Sequence, residues 1–346
     1  MTLFGVAGCT ALIFFGFAMI DSLKDTSAIQ QNELFHYQSI AILDQKSDRK
    51  AFDDLIEKDK RLEIRNESAS LNRNGTDLDL SIIIPKDMAR FNDFVSLRKN
   101  INNPINLKEA KAVITKNASK KLKLKENDKI KVEIDKKLIE IEIGAITENY
   151  VGDYLYISKD YYEDLTSNKL SVNADYIKGD PDKITQKLED IDDILAVINT
   201  SRAYESMDAL LANLNLVIVV ITLVSSVLAS VVLYNITDIN VSERKRELAT
   251  IKVLGFYPKE VTAYIYREIF ILSLIGIGGG YLLGYLMFRY IIDLVAPRDI
   301  MLSYKLHPIS FIVSAAITLI LSMIMLIYVH NKLKNIDMAE AMSSGE

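Results

Sequence analysis

Three histidines, His36, His307 and His330, and one cysteine, Cys9, are the side chains of this 346-residue chain best suited to hold a transition metal or act as a nucleophile. Metal sites recruit such donors at short, recurring spacings. These histidines lie far apart, with no Cys or His companion at a ligand spacing, and read as surface or interfacial residues. Cys9 sits inside an apolar run with no second cysteine to pair with, so it reads as a small packing side chain. No Gly-x-x-x-x-Gly-Lys-Ser/Thr occurs, so any ATP must be hydrolysed by another chain. Carboxylates are plentiful but scattered, and nothing marks a general acid and base pair. The expectation is a protein that is not an enzyme, with no catalytic, cofactor-binding or metal-ligating residues.

Two other patterns carry information. In "SLIGIGGGYLLGYLMF", Gly276, Gly280 and Gly284 recur every four residues within an apolar run, and Ser314, Thr318 and Ser322 repeat that spacing later. Small residues at that interval form a smooth ridge on a helix, where a neighbouring backbone approaches closely. Packing within a helix bundle is the preferred reading, and a substrate pathway is the alternative. The second pattern is "SERKRELATIKVLGF", Ser242 to Phe256, with six charges of mixed sign. On a helix, Val241, Leu248 and Ile251 share one face, Leu254 lies at its margin, and Arg244 and Glu247 border it. Glu243, Lys245, Arg246 and Lys252 lie mostly elsewhere. Ser242 caps the start, Gly255 closes the end, and Pro258 follows soon after. A helix lying on lipid is usually more strongly basic, and here two glutamates dilute the charge. Mixed charge beside a compact apolar edge suits a protein groove better.

Four windows without charge position these patterns: Thr2 to Ile20, Leu214 to Tyr234, Ile269 to Phe288 and Ile309 to Val329. Each has about 20 residues, enough to cross a bilayer core as a helix. A cleaved signal peptide is the competing reading of the first window, but it lacks a basic leading region and a polar cleavage site. No charge occupies the middle of a window, which removes the usual mark of an ion or proton path. Asp21 to Leu210 has globular composition, with 36 acidic and 30 basic residues. That mild negative excess argues against nucleic acid or an anionic lipid surface as its target. Asn235 to Glu268 carries six Lys and Arg against three in Arg289 to Pro308, so the first loop and both termini are expected in the cytoplasm. The large domain then lies outside.

Within that domain, "LDLSIII" (Leu78 to Ile84) and "KIKVEIDKKLIEIEIGAI" (Lys129 to Ile146) alternate with period two and read as a strand and a hairpin turning at Asp135 to Lys137. "KEAKAVITKNASKKLKL" and "SKDYYEDL" read as short helices or turns. Pro181 starts a helix at its first turn. Phe35 to Asn74 yields no secure assignment. The fold class expected is an α-helical membrane protein with four transmembrane helices and a large α+β extracellular domain inserted between helices 1 and 2. Its parts are helix 1 over 1–20, the outer domain over 21–210, and a permease domain over 211–346 containing a helix at about 241–255.

"YNITDINVSERKRELATIKVLGFYPKEV" (Tyr234 to Val261) resembles the signature segment of FtsX-like, MacB-like permeases, the membrane subunits of type VII ABC transporters. "KLKNIDMAEAM", "ITENYVGDYLYISKDYY" (Ile146 to Tyr162) and "GVAGCTALIFFGFAMIDSL" look like the corresponding parts of large permeases of Gram-positive bacteria. The resemblance implies that Glu243 to Gly255 is a coupling helix docking on a separate ABC ATPase, with Glu243, Arg244, Arg246, Glu247, Leu248, Ile251, Leu254 and Gly255 as its contact residues. ATP is then bound by that partner alone. It also implies a multi-pass plasma-membrane protein acting by mechanotransmission, in which ATP-driven closure moves the outer domain. A second permease unit is the expected partner, beside the lipid bilayer. The chain begins inside its first apolar window, as expected of the C-terminal half of a longer or split permease. Two alternatives stay open: a transducer regulating a cell-wall hydrolase, and a membrane-anchored sensor or adhesion protein without an ATPase.

Overall fold

The computed structural model describes residues 2–44, 49–73, 75–134, 137–188, 191, 193–243 and 258–334. They form two units. One comprises Met1–Lys24, Ala212–Val295 and Tyr304–Glu346; the other comprises Asp25–Leu211 and Ala296–Ser303.

The second unit is an α+β sheet domain. Its strands are β1 (Ser39–Leu43), β2 (Arg61–Arg73), β3 (Thr76–Pro85), β4 (Arg98–Asn100), β5 (Asn103–Pro104), β6 (Ala112–Thr115), β7 (Lys129–Ile134), β8 (Lys137–Glu142), β9 (Ala145–Thr147), β10 (Tyr154–Ile157), β11 (Ala174–Ile177) and β12 (Ile194–Asn199). Eight of them form one sheet in the order β12-β1-β11-β2-β3-β10-β6-β9; β4 pairs with β5 and β7 with β8. The β3–β10 and β6–β9 pairs are parallel and the remaining pairs antiparallel.

The large sheet is covered on both faces around β10 and β6, which is why these two strands are apolar runs and not alternating ones. Register aligns Ile82 with Leu155 and Leu155 with Ile114, and these three share one core with Leu71, Leu78 and Ile84. The same register aligns Ile83 with Tyr156 and Tyr156 with Val113, which share the other core with Leu62, Ile64, Phe91 and Phe94. The β7–β8 hairpin contributes Ile130, Val132, Ile134 and Ile141 to the first core, while Lys129, Lys131 and Glu133 stay exposed, as its period-two pattern predicts. Gly75, in the turn from β2 to β3, takes a φ of +79°, a backbone conformation that costs glycine little.

The helices are α1 (Thr2–Ile29), α2 (Lys50–Leu55), α3 (Phe91–Phe94), α4 (Leu107–Ala110), α5 (Lys116–Leu122), α6 (Lys159–Thr166), α7 (Pro181–Leu188), α8 (Thr200–Glu243), α9 (Pro258–Val295) and α10 (Pro308–Lys334). Pro181 starts α7. The stretch Lys108 to Leu124, expected to be helix or turn, contains strand β6 between α4 and α5. All four β6 residues are buried, so the "AVIT" run joins the sheet and interrupts the polar helical pattern around it. The first helix runs beyond Ile20 to Ile29 and continues as one π-helical turn, Gln30–Leu34.

Candidate functional site

Among the described residues, two helical stretches are long and apolar enough to cross a membrane, Leu3–Leu34 and Phe270–Val295. Leu216–Val232 and Pro308–Ile324 are shorter apolar stretches. Within the helix unit, Gly276, Gly280 and Gly284 of α9 face α1. A Cβ added at Gly280 would stand 2.5 Å from Thr10 Cβ and 2.8 Å from the Ala7 carbonyl oxygen. One at Gly284 would stand 2.8 Å from the Ala11 carbonyl oxygen, and one at Gly276 2.8 Å from Val6 Cβ. Real Cβ atoms do not approach that closely, so α1 occupies the space a side chain would need.

Hydroxyls complete this contact. Thr318 Oγ1 donates to the Ser314 carbonyl (2.9 Å) and lies 3.2 Å from Thr10 Oγ1; Ser314 Oγ donates to the Ser310 carbonyl (2.7 Å). Ser310 Oγ donates in turn to Asp21 Oδ2 (2.5 Å), which also accepts from the His307 amide (3.1 Å). Ser322, the third residue of the sequence pattern, is buried, and its Oγ has no hydrogen-bond partner among the described residues. Phe14, Tyr281 and Phe311 pack edge-on or tilted around the seam, with centroids 4.6–5.3 Å apart. Sequence reasoning missed Thr10, Asp21 and Gly16; an added Cβ at Gly16 would lie 1.9 Å from Thr222 Oγ1. A lone small residue in a single window has no repeat to announce it.

The coupling stretch cannot be placed in this way. The structure describes α8 as far as Glu243 and resumes at Pro258. Arg244, Arg246, Glu247, Leu248, Ile251, Leu254 and Gly255 therefore lie outside the described residues.

The sheet domain contains a clasp that the sequence did not announce. It holds the Glu148–Asp153 loop between β9 and β10, inside the segment singled out above. Gln30, fully buried in the π turn, donates through Nε2 to Asn149 Oδ1 (3.0 Å) and accepts from the Tyr150 amide (2.8 Å). Asn149 donates to the carbonyls of Val151 and Gly152, each at 2.8 Å. Arg98 bridges Glu33 (2.6 Å) and Glu148 (2.9 Å), and Tyr150 donates to Glu148. Burial, reinforced by that carboxylate, pushes the Tyr150 phenol well above its ordinary value. From the other side, the segment Ala296–Ser303 pairs with the loop. The Gly152 amide donates to the Asp299 carbonyl, and the Met301 amide to the Tyr150 carbonyl, both at 2.8 Å. The Ser303 amide donates to Thr26 Oγ1 (3.0 Å). The loop is thus held at once by the chain leaving α1 and by the chain between α9 and α10.

His36 is half-buried and bonded to Ser96 Oγ (2.9 Å), and burial lowers its pKa. No group of three or more His, Cys, Asp or Glu positioned for a metal occurs among the described residues. Asp175, fully buried on β11, is paired with Arg49 and stands 3.6 Å from Arg61. Burial outweighs those cations and lifts its pKa from 3.8 to about 6.

Residues 219–338 match the FtsX family, described as FtsX-like permease C-terminal. Among solved structures, the chain is similar to the periplasmic region of MacB from Actinobacillus actinomycetemcomitans, with 10% identity and a TM-score of 0.29 over 50% of this chain and 94% of that one. It is also similar to the extracellular domain of the noncanonic ABC-type transporter YknZ from Gram-positive bacteria, with 13% identity and a TM-score of 0.27 over 43% of this chain and 88% of that one. No curated protein sequence matches the chain. Permeases of the matched family are membrane proteins that work with an ABC ATPase. Residues 219–338, the C-terminal third, are thus similar to the C-terminal region of FtsX-like permeases.

Proposed function

We propose that this chain couples ATP hydrolysis by a separate ATPase to movement of its sheet domain, without carrying substrate through a central pore. The chain crosses the plasma membrane four times, with the sheet domain outside and both termini cytoplasmic. It works beside a second permease unit, and the helix at about 241–255 transmits force from the ATPase. The single observation that carries this reading is the family match, whose span contains "SERKRELATIKVLGF". Two further features support it: the absence of charge from the middle of each apolar window, and the clasp on the Glu148–Asp153 loop, which offers a mechanical connection inside the sheet domain.

The double substitution Leu248→Asp with Ile251→Asp tests it. Two carboxylates on the apolar edge of the helix would be buried unpaired in a partner's groove, which is costly. The expected result is normal membrane abundance with loss of the co-purifying ATPase and of ATP-dependent function. A double mutant that retains its ATPase at the wild-type ratio removes the coupling assignment and favours an anchored sensor.

A further inference from the structure

We propose that the sheet domain carries a binding cleft for a compact, multiply charged anion of phosphate chemistry. The cleft, of about 530 Å³, lies beside the start of β2 and the end of β3. Six basic residues line it, Lys58, Arg61, Lys86, Arg90, Lys108 and Lys159, against three acidic ones. This excess reverses the composition of the surrounding segment, where acidic residues outnumber basic ones 36 to 30.

The acidic side chains, Glu63, Asp87 and Asp160, offset part of this charge and leave the lining net positive. Glu63 is paired with Lys86, and Asp87 Oδ1 accepts from the backbone amides of Ala89 (3.0 Å) and Arg90 (3.4 Å). Lys58, Lys108 and Lys159 have no acidic partner among the described residues. Arg61 is 6% exposed and is itself paired with Asp53 (2.7 Å) and close to Asp175 (3.6 Å), so the charge available to a ligand comes from the other cations. Arg90 is held in place by the Lys58 and Asp59 carbonyls (2.9 and 2.7 Å) and by the ring of Phe94, whose centroid lies 5.7 Å from its Cζ. Carbonyls orient the guanidinium without cancelling its charge.

Each Nη of Arg90 already donates to one carbonyl, so the guanidinium is fixed in place with fewer donors left for a ligand. What remains is three flexible ammonium groups, which act as point charges and suit the several oxygens of a phosphate or diphosphate group. The negative excess of the segment disfavours an extended anionic surface or polymer, while the cleft admits a compact anion. This inference rests on the cleft alone and is independent of ATPase coupling.

Calorimetric titration of the full chain in phosphatidylcholine nanodiscs with inorganic pyrophosphate tests it. We expect binding that weakens about tenfold or more in Lys108→Glu/Lys159→Glu. The matched pair Lys116→Glu/Lys125→Glu, outside the cleft, should bind within about twofold of wild type. Absence of binding to the wild type, equal losses in the two pairs, or equally tight binding of citrate would each overturn the proposal. Repeating the titration in phosphatidylglycerol nanodiscs separates two sources of phosphate. Unchanged affinity supports a soluble occupant, and loss of pyrophosphate binding there overturns it in favour of a lipid headgroup.

Discussion

The two units of this chain distribute their side chains in opposite senses. In the sheet domain the largest apolar side chains are inside: Phe94 and Ile84 are 0% exposed and Tyr156 1%. In the helix unit Gly276, Gly280, Gly284, Ser314 and Thr318 are buried, while Leu282 is 63% exposed, Leu286 56% and Ile320 58%. A sheet domain in water is held together by removing apolar surface from solvent. Helices in lipid gain nothing from that exchange, so close backbone approach and interhelical hydrogen bonds hold them together. The contrast shows that the same amino acid carries different energetic weight in each unit.

The largest expected effect comes from testing that difference directly. Phe94→Ala removes a fully buried ring from the sheet domain and should cost about 3–5 kcal/mol. Leu282→Ala, a truncation at an exposed position, should cost less than about 0.5 kcal/mol. Chemical unfolding of both variants in the same lipid measures the gap, and comparable losses would break the comparison.

A smaller effect separates two glycines of one helix. Gly280→Ile collides with Thr10 and the Ala7 carbonyl and should cost about 1–3 kcal/mol through overpacking. Nothing lies within 4 Å of a Cβ added at Gly278, so Gly278→Ile should be tolerated. Thermal stability of the two variants decides whether the ridge is specific or the whole helix is simply intolerant of bulk.

A third effect concerns pH. Asp175 has a folded pKa of about 6 against an ordinary 3.8, so the folded state binds its proton more tightly than the unfolded state does. The stability this group contributes is therefore complete below about pH 4 and lost as pH rises through 6, with a slope of at most about 1.4 kcal/mol per pH unit. Asp175→Asn should remove that slope, while lowering stability overall because Arg49 and Arg61 lose their counter-charge. Urea midpoints between pH 4 and 7 measure it. A slope that persists in the variant assigns the pH dependence to another group.

Much of the architecture was legible because its signals are local. Charge-free windows, the period-two hairpin at β7 and β8, and Pro181 at the start of α7 each depend on neighbours a few residues away. The small-residue spacing in α9 was likewise readable, since a four-residue repeat reports one helix face. Strand β2 shows why Phe35 to Asn74 resisted assignment. Leu62 and Ile64 point into one core, whereas Ala69 and Leu71 point into the other. Its alternation therefore changes phase halfway, and Asn66 to Ser68 fill the interval with polar residues. The Asn74-Gly75 pair ahead of "LDLSIII" was a usable hairpin signal in that region.

By itself, then, the sequence determined which segments are apolar, where short elements start and turn, and which family model residues 219–338 match. Each of these follows from residues within one turn or one strand of each other, or from an ordered motif. Only the tertiary structure decided that Gln30 meets Asn149, that Thr10 meets Thr318, and that Asp299 and Met301 pair with the loop at Tyr150. It also brought Lys58, Arg90, Lys108 and Lys159 around one cleft. The physical reason is that a polar side chain carries no mark of its partner: the desolvation that makes a buried hydrogen bond obligatory arises only once the chain has closed around it.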